Sequence, residues 1–93
     1  MGIKFTIKYH SKVISEDITK LSNVNKNRIK AAIEVKLLTE PEIFGIPLRK
    51  SLKGYRKLRV GDYRIIFTID KRIIKIFAIQ HRSIIYRQIG KRF

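Results

Sequence analysis

Residues 54–67 constrain the fold more than any other part of this sequence. Cationic and apolar residues alternate along these fourteen positions, stop at Gly61-Asp62, and then alternate again. A period of two, broken by a two-residue turn that begins with glycine, is typical of a β-hairpin. A two-residue loop predicts the following cross-strand pairs: Val60 with Tyr63, Arg59 with Arg64, Leu58 with Ile65, and Lys57 with Ile66.

The two faces of this hairpin differ in chemical character. Successive side chains of a strand point to opposite faces of a sheet. One face therefore receives only apolar and aromatic side chains: Leu58, Val60, Tyr63 and Ile65. The other face receives most of the cations: Tyr55, Lys57, Arg59, Arg64 and Ile66. We expect the first face to pack in the core, and the second to need an anionic partner that offsets the repulsion between its cations.

The charge of the chain indicates nucleic acid as that partner. The 93 residues contain 22 Lys and Arg against 7 Asp and Glu, a net charge of +15. Residues 1–46 carry a net charge of +3 and residues 47–93 carry +12. A charge this one-sided favours association with polyanions. A surface that serves only solubility is the alternative, and a membrane surface is disfavoured because the cations lie mainly in strand-like segments.

Composition predicts one small folded domain, residues 1–93, because 44% of the residues are hydrophobic. The chain has no cysteine, which excludes disulfides and thiolate metal sites. His10 and His81 cannot build a metal site by themselves, so we expect neither a metal nor another cofactor. The first residues, Met1 to Lys4, lead directly into a strand pattern without a signal region or membrane span. We therefore expect a cytoplasmic protein.

The N-terminal half is predicted to form a strand and then a helical hairpin. The strand has apolar side chains at alternate positions: Phe5, Ile7 and Tyr9. Ser11 is expected to cap the first helix, whose apolar face is made of Ile14, Ile18 and Leu21. The second helix has its apolar face at Ile29, Ala32, Ile33 and Leu37. It ends at Pro41, since the residue before proline avoids helical dihedral angles.

The C-terminal half is predicted to be mostly strands. Residues 48–53 are expected to be extended, and the hairpin follows them. Residues 73–79 are apolar except for Lys75, which indicates a central strand covered on both faces. Ser83 can cap a final helix over residues 84–89. The order β-α-α-β-β-β(-α) predicts an α+β fold, with a mostly antiparallel twisted sheet and the helical hairpin packed on one face.

Two segments contain a more specific pattern. Residues 52–67 read Leu-Lys-Gly-Tyr-Arg-Lys-Leu-Arg-Val-Gly-Asp-Tyr-Arg-Ile-Ile-Phe, and residues 79–86 read Ile-Gln-His-Arg-Ser-Ile-Ile-Tyr. Together with the size, element order and basic charge, they resemble a RelE-type toxin of the RelE/ParE toxin–antitoxin superfamily. The resemblance implies a metal-independent endoribonuclease that cuts messenger RNA in the ribosomal A site and inhibits translation. It also implies an acidic, RelB-like antitoxin as partner.

Metal-independent RNA cleavage requires a base for the 2′-hydroxyl, cations around the phosphate, and a proton for the leaving 5′-oxygen. Lys57 is our candidate base, because neighbouring cations favour its neutral form. Arg64 can bind two phosphate oxygens with its guanidinium fork. The resemblance implies that Tyr86 stacks on or activates the nucleotide at the cut and that Arg82 supports phosphate or leaving-group charge. His81 is a supporting candidate, which can also cap or pack at its strand end.

Lys53, Arg56 and Arg59 are predicted to contact RNA, although strand alternation places Arg56 on the face opposite Lys57. The chain departs from some RelE-type ribonucleases at two positions. It has Tyr55 where they have a lysine, and Gln80 where they have an arginine. These departures concern catalytic rate more than fold.

Two other functions remain open. A ParE-like toxin has the same scaffold without nuclease activity and inhibits DNA gyrase, and a degenerate toxin retains only antitoxin and operator binding. The sequence favours the nuclease, because four residues match positions that ribonuclease members use: Lys57, Arg64, Arg82 and Tyr86. Residues 83–93 are expected to join the sheet only through a short helix, and therefore to be the part that an antitoxin displaces most easily.

Overall fold

The computed structural model describes residues 5–92, which form one five-stranded sheet. The strands are β1 (Thr6–Tyr9), β2 (Ile46–Pro47), β3 (Arg56–Val60), β4 (Tyr63–Asp70) and β5 (Ile73–His81). Their order across the sheet is β1-β5-β4-β3-β2. β1 runs parallel to β5, and the other neighbours are antiparallel. The predicted α+β fold with a mostly antiparallel sheet is confirmed.

The hairpin of β3 and β4 has the predicted register. Val60 pairs with Tyr63, and the pairs continue in step as far as Arg56 with Phe67. Gly61 begins the turn with φ +58°, a left-handed dihedral angle that glycine adopts without steric strain. β5 lies between β1 and β4, as predicted for a central strand. A β-bulge between Ile66 and Phe67 shifts the register of β4 against β5.

The helical elements lie between β1 and β3 and after β5. The first helical segment consists of a π-helical turn, Val13–Asp17, and a 3₁₀ turn, Ile18–Lys20. Helix α1 (Asn23–Ala32) continues into a π-helical turn, Ile33–Leu37. The short helix α2 (Pro41–Phe44) precedes β2, and a 3₁₀ turn, Lys50–Leu52, follows β2. After β5, helix α3 (Ile85–Gln88) and a 3₁₀ turn, Ile89–Arg92, complete the described chain.

Each face of the sheet is covered by a separate hydrophobic cluster. The first helical segment and α1 cover one face, where Leu58 and Ile65 of the hairpin are buried among helical side chains such as Ile33. The C-terminal elements cover the other face, where Ile85 and Ile89 pack on the sheet. The sheet is therefore a middle layer, and the cationic face of the hairpin is the one that α3 partly covers.

The first helix departs from its prediction in two details. His10, and not Ser11, caps the segment, because the His10 Nδ1 atom accepts a hydrogen bond of 3.0 Å from the backbone N–H of Lys12. Ile14, predicted to be on the apolar face, is 59% exposed, whereas Val13 is fully buried. A π-helical turn has more residues per turn than an α-helix, so the inward-facing positions are not those that a 3.6-residue period predicts.

Two predictions in the C-terminal half are also corrected. Residues 48–53 are not extended, since Lys50 has φ +58° and opens a 3₁₀ turn. Ser83 does not cap the last helix, which begins at Ile85 without any side-chain cap. The backbone N–H of Ser83 instead donates a hydrogen bond to the imidazole of His81.

The C-terminal elements are held more firmly than the sequence indicated. Ile85 is fully buried and Ile89 is 2% exposed. Arg92 forms a buried ion pair with Asp17 of the first helical segment. The expectation that this part of the chain joins the sheet only through a short helix is therefore wrong.

Gly45 provides a test of the packing between α2 and β4. A Cβ atom at this position would overlap the ring of Phe67 and lie 2.9 Å from the carbonyl oxygen of Pro41. We expect Gly45→Ala to lower the free energy of unfolding by about 1–3 kcal/mol, the usual effect of overpacking. Gly90→Ala is the matched control, because nothing lies within 4 Å of its added methyl group. Equal denaturation midpoints for the two variants would contradict the packing described here.

Candidate nucleic-acid cleavage site

Lys57 and Tyr86, which are 29 positions apart in sequence, meet on the outer face of the sheet. The Lys57 Nζ atom donates a hydrogen bond of 3.4 Å to the Tyr86 hydroxyl oxygen and lies 6.0 Å from the centre of its ring. Burial of the neighbouring Ile85 fixes α3 on the sheet. Tyr86 itself is 49% exposed, so it is not a packing residue and its ring and hydroxyl group are accessible to a ligand.

Arg64 lies on the same face of the sheet as Lys57 but is only 7% exposed. Its Nη1 atom donates hydrogen bonds to the carbonyl oxygens of Gly61, at 3.0 Å, and Tyr63, at 2.9 Å. Arg64 therefore stabilises the hairpin turn. Its Nε and Nη2 groups make no hydrogen bond within residues 5–92, so they are the donors that a phosphate could use. Arg59 lies directly opposite on β3 and is exposed.

Arg82, the residue after β5, lies beside the tip of the β3–β4 hairpin. Its backbone N–H donates a hydrogen bond of 2.7 Å to the carbonyl oxygen of Asp62. Its side-chain Nε atom lies 3.6 Å from the Asp62 Oδ1 atom, and both side chains are largely exposed. An exposed pair of this kind contributes little to stability, so the guanidinium is available to exchange this carboxylate for a phosphate.

The side chain of His81 contacts Ser83 and Tyr63. Its Nδ1 atom accepts a hydrogen bond of 3.1 Å from the backbone N–H of Ser83 and lies 2.8 Å from the Ser83 hydroxyl oxygen. Its ring packs edge-on against Tyr63, with 5.6 Å between ring centres. These contacts fit the capping and packing alternative for this residue.

The three residues predicted to bind RNA do not share one surface. Lys53 and Arg59 are exposed. Arg56 is half-buried, and its Nη1 atom donates hydrogen bonds to the carbonyl oxygens of Glu42, at 3.3 Å, and Gly45, at 3.0 Å. These contacts join β3 to helix α2, on the face of the sheet opposite Lys57. The predicted separation of Arg56 from Lys57 is confirmed.

Tyr55 and Gln80, the two departures from the RelE-type pattern, both make contacts within the fold. Tyr55 packs edge-on against Phe77, with 5.0 Å between ring centres. Gln80 is 9% exposed, and its Nε2 atom donates a hydrogen bond of 3.1 Å to the Asp17 carboxylate. Neither side chain supplies a cation next to Lys57.

Asp17 and Arg92 form a polar contact that the sequence prediction missed. The Arg92 Nη1 and Nη2 atoms donate hydrogen bonds of 2.7 and 2.6 Å to the two oxygens of the Asp17 carboxylate. These hydrogen bonds raise the pKa of the Arg92 guanidinium above its ordinary value, although burial opposes the rise. The spacing of four residues between Val13, Asp17 and Leu21 is the one sequence signal that could have indicated a buried position for Asp17.

Residues 5–92 lack two features that would bear on the function. No group of three or more His, Asp or Glu side chains is arranged to hold a metal ion there. Within the same residues, no helix is long and apolar enough to cross a membrane.

Solved structures with similar folds include chains from toxin–antitoxin complexes. The RelBE2 toxin–antitoxin complex of Mycobacterium tuberculosis contains a chain that matches with a TM-score of 0.79 and 26% identity, over 87% of this chain and 94% of that one. The RelB–RelE complex of Methanococcus jannaschii contains a chain with a TM-score of 0.63 and 22% identity, over 86% of this chain and 95% of that one. YafQ of E. coli matches with a TM-score of 0.60 and 19% identity, over 89% and 99%. The last two support the fold alone.

Sequence comparison identifies the family. A curated relative, Toxin RelE of Mycobacterium tuberculosis, is 42% identical over 53 residues, an alignment that spans 55% of this chain and 55% of the relative. Residues 10–86 match the family described as the ParE toxin of the type II toxin–antitoxin system, parDE. This match covers most of the chain and includes Lys57, Arg64, Arg82 and Tyr86. The chain therefore belongs to the ParE toxin family of type II toxin–antitoxin systems, within the RelE/ParE superfamily.

Proposed function

We propose that this chain, acting as a single toxin domain over residues 1–93, is a ribosome-dependent messenger RNA endoribonuclease. It cleaves messages in the ribosomal A site and inhibits translation in the cytoplasm. The observation that carries the proposal is the contact between Lys57 and the exposed Tyr86, on the cationic face of the hairpin. The sequence match to Toxin RelE supports the nuclease branch of the superfamily.

The reaction is an intramolecular displacement at phosphorus. The ribose 2′-oxygen forms a bond to phosphorus while the bond from phosphorus to the leaving 5′-oxygen breaks. A base removes the proton of the 2′-hydroxyl, and an acid returns a proton to the 5′-oxygen. The products are a fragment with a 2′,3′-cyclic phosphate and a fragment with a free 5′-hydroxyl group.

Each candidate residue has a proposed role in this reaction. Lys57 accepts the proton of the 2′-hydroxyl. Tyr86 stacks its exposed ring on the nucleotide at the cut and directs its hydroxyl towards the reacting groups. Arg64 offers its Nε and Nη2 donors to the phosphate, while its Nη1 atom keeps the hairpin turn in place. Arg82 stabilises charge on the leaving group, and His81 supports the turn that carries Arg82.

The proposed macromolecular partners follow from charge. A net charge of +15 favours the ribosome and messenger RNA as the target. An acidic, RelB-like antitoxin is the proposed inhibitor. The RelBE2 structure, which is 26% identical to this chain, is such a toxin–antitoxin complex. A segment that folds on binding can cover much of a small domain from a short sequence.

A second candidate function is inhibition of DNA gyrase without nuclease activity. It is favoured by the description of the matching family, which names ParE toxins. Induced expression followed by mapping of message 5′-ends separates the two. New 5′-ends on translated messages support the nuclease, whereas intact messages with trapped gyrase support the second function.

Lys57 is the residue whose replacement tests the nuclease directly. We expect Lys57→Ala to lower the cleavage rate by about 10²–10³-fold, the usual effect of removing one transition-state contact. Lys57→Arg should not restore it, because a guanidinium does not act as a base at neutral pH. The measurement is single-turnover cleavage of a message on programmed ribosomes.

Two control variants accompany this test. Lys30→Ala removes an equal charge from α1, away from Lys57, and should leave the cleavage rate unchanged. Tyr86→Phe keeps the ring and removes the hydroxyl, so its difference from Tyr86→Ala separates stacking from proton chemistry. Full cleavage by Lys57→Ala would exclude this residue from the reaction.

Arg56 and Arg59 lie three positions apart on β3, but they should respond differently to substitution. We expect Arg56→Gln to lower the free energy of unfolding by about 1–3 kcal/mol, because the carbonyl groups of Glu42 and Gly45 lose a charged donor. Arg59→Gln should leave stability unchanged and weaken RNA binding. The slope of log affinity against log salt should then fall by about one.

Denaturant unfolding and RNA titration at several salt concentrations measure both effects. Weaker RNA binding by Arg56→Gln, with stability intact, would show that Arg56 belongs to the RNA surface in spite of its contacts with α2.

A further inference from the structure

The most buried ion pair among residues 5–92 joins two distant parts of the chain. Asp17 and Arg92 are 75 positions apart, and their side chains are 2% and 7% exposed. The Asp17 carboxylate also accepts hydrogen bonds from the backbone N–H of Ile79, at 2.8 Å, and from the Gln80 side chain. The pair therefore connects the first helical segment, strand β5 and the end of the described chain.

The geometry of this contact requires an arginine at position 92. The Arg92 Nη1 and Nη2 atoms reach the two oxygens of one carboxylate, and Nη1 also donates a hydrogen bond of 2.8 Å to the carbonyl oxygen of Phe77. Phe77 lies at the β-bulge, where the register of β5 with β4 changes. A lysine has the same charge, but its single ammonium group cannot reproduce this forked arrangement.

The part of the chain held in this way carries Tyr86. We define the C-terminal segment as residues 85–92, that is, α3 and the 3₁₀ turn after it. Helix α3 has only four residues, and a helix this short is not stable by itself. Ile85 and Ile89 attach the segment through apolar packing, and Arg92 attaches its far end. Tyr86 lies between buried contacts and faces Lys57.

We propose that the Asp17–Arg92 ion pair is a positioning element for cleavage, which holds the C-terminal segment so that Tyr86 stays against Lys57. This inference rests on the proposed nuclease function. Neither Asp17 nor Arg92 touches the reacting groups. Loss of Arg92 leaves the Asp17 carboxylate buried without a counter-charge, an unfavourable state that opening of the segment to water relieves.

Substitution at Arg92 tests the proposal with the full-length chain. Arg92→Gln removes the charge and the fork, and Arg92→Lys keeps the charge alone. Lys91→Gln is the matched control, because it removes one charge from the neighbouring exposed residue and leaves the ion pair intact. Circular dichroism and denaturant unfolding verify first that all three variants are folded.

Hydrogen exchange of the C-terminal segment is the first readout. Its amides include that of Gln88, which donates to the carbonyl oxygen of Ile84. We expect exchange over residues 85–92 to be at least about tenfold faster in Arg92→Gln than in Lys91→Gln, because local opening becomes easier. Arg92→Lys should be intermediate. Equal exchange in Arg92→Gln and Lys91→Gln would overturn the proposal.

Cleavage kinetics on programmed ribosomes give the second readout. Misplacement of a reacting group by about 1 Å is enough to slow a reaction about 10²-fold. We therefore expect the maximal rate of Arg92→Gln to fall about 10–100-fold below that of Lys91→Gln. The ribosome concentration at half-maximal rate should change less than about twofold, since the RNA surface is intact. Partial recovery of the maximal rate in Arg92→Lys completes the expected pattern.

The two readouts separate the failure of each proposal. If the wild-type chain cleaves and Arg92→Gln has the maximal rate of Lys91→Gln, the positioning role is wrong and the nuclease function stands. If the wild-type chain does not cleave any message while Arg92→Gln still opens the segment, the nuclease function is wrong. In that case, the ion pair holds the segment for another purpose.

Discussion

The two-residue turn at Gly61 and Asp62 sets the register on which the site depends. Because the loop has two residues, Lys57 lies opposite Ile66 and its side chain faces α3 rather than the helical hairpin. A slip of one residue would exchange the two faces of the strand. Lys57 would then point into the main core, and Leu58 would take its place beside Tyr86. The chemistry proposed for this face therefore follows from the geometry of one turn.

The hairpin could be predicted well because its signal is local. Its period of two, its turn and its pairing are contained in residues 54–67, and the structure has the predicted pairs. The first helix was less predictable, since its periodicity depends on the type of helix. The π-helical turn, Val13–Asp17, has Val13 and Asp17 on the buried side, whereas the assumed period of 3.6 residues selected Ile14. Hydrophobicity alone does not reveal which of these two helix types a short segment adopts.

The candidate site was predictable to the extent that it lies on the hairpin. Strand alternation correctly separated Arg56 from Lys57. A role for Tyr86 was indicated only by resemblance. Its contact with Lys57 was not predicted, because the position of α3 depends on packing against Ile66 and Ala78. The partners of Arg56 could not be predicted at all. They are backbone carbonyl groups of a loop and a short helix, and no side-chain pattern in the sequence identifies such acceptors.

The Asp17–Arg92 ion pair was missed because charged residues in a strongly basic chain are normally solvated. Any of many cations could neutralise Asp17 through long-range attraction, so charge alone did not identify its partner. Arg92 is the partner because its guanidinium fork reaches both the carboxylate and the Phe77 carbonyl oxygen. The pairing therefore depends on the folded path of the C-terminal segment. Sequence patterns carry little information about contacts between residues so far apart in the sequence.

Burial also separates this ion pair from the other charges of the molecule in its response to salt. Exposed charges are screened within about 10 Å at 0.1 M salt, whereas buried pairs are screened much less. The exposed Arg82–Asp62 pair and the proposed attraction between the exposed cations and RNA should therefore weaken together as salt rises. The contact that holds the C-terminal segment should persist under the same conditions. At high salt, a polyanion can therefore dissociate from the protein while Tyr86 remains in place against Lys57. Attraction to the polyanion and the geometry of the site depend on different groups of charges.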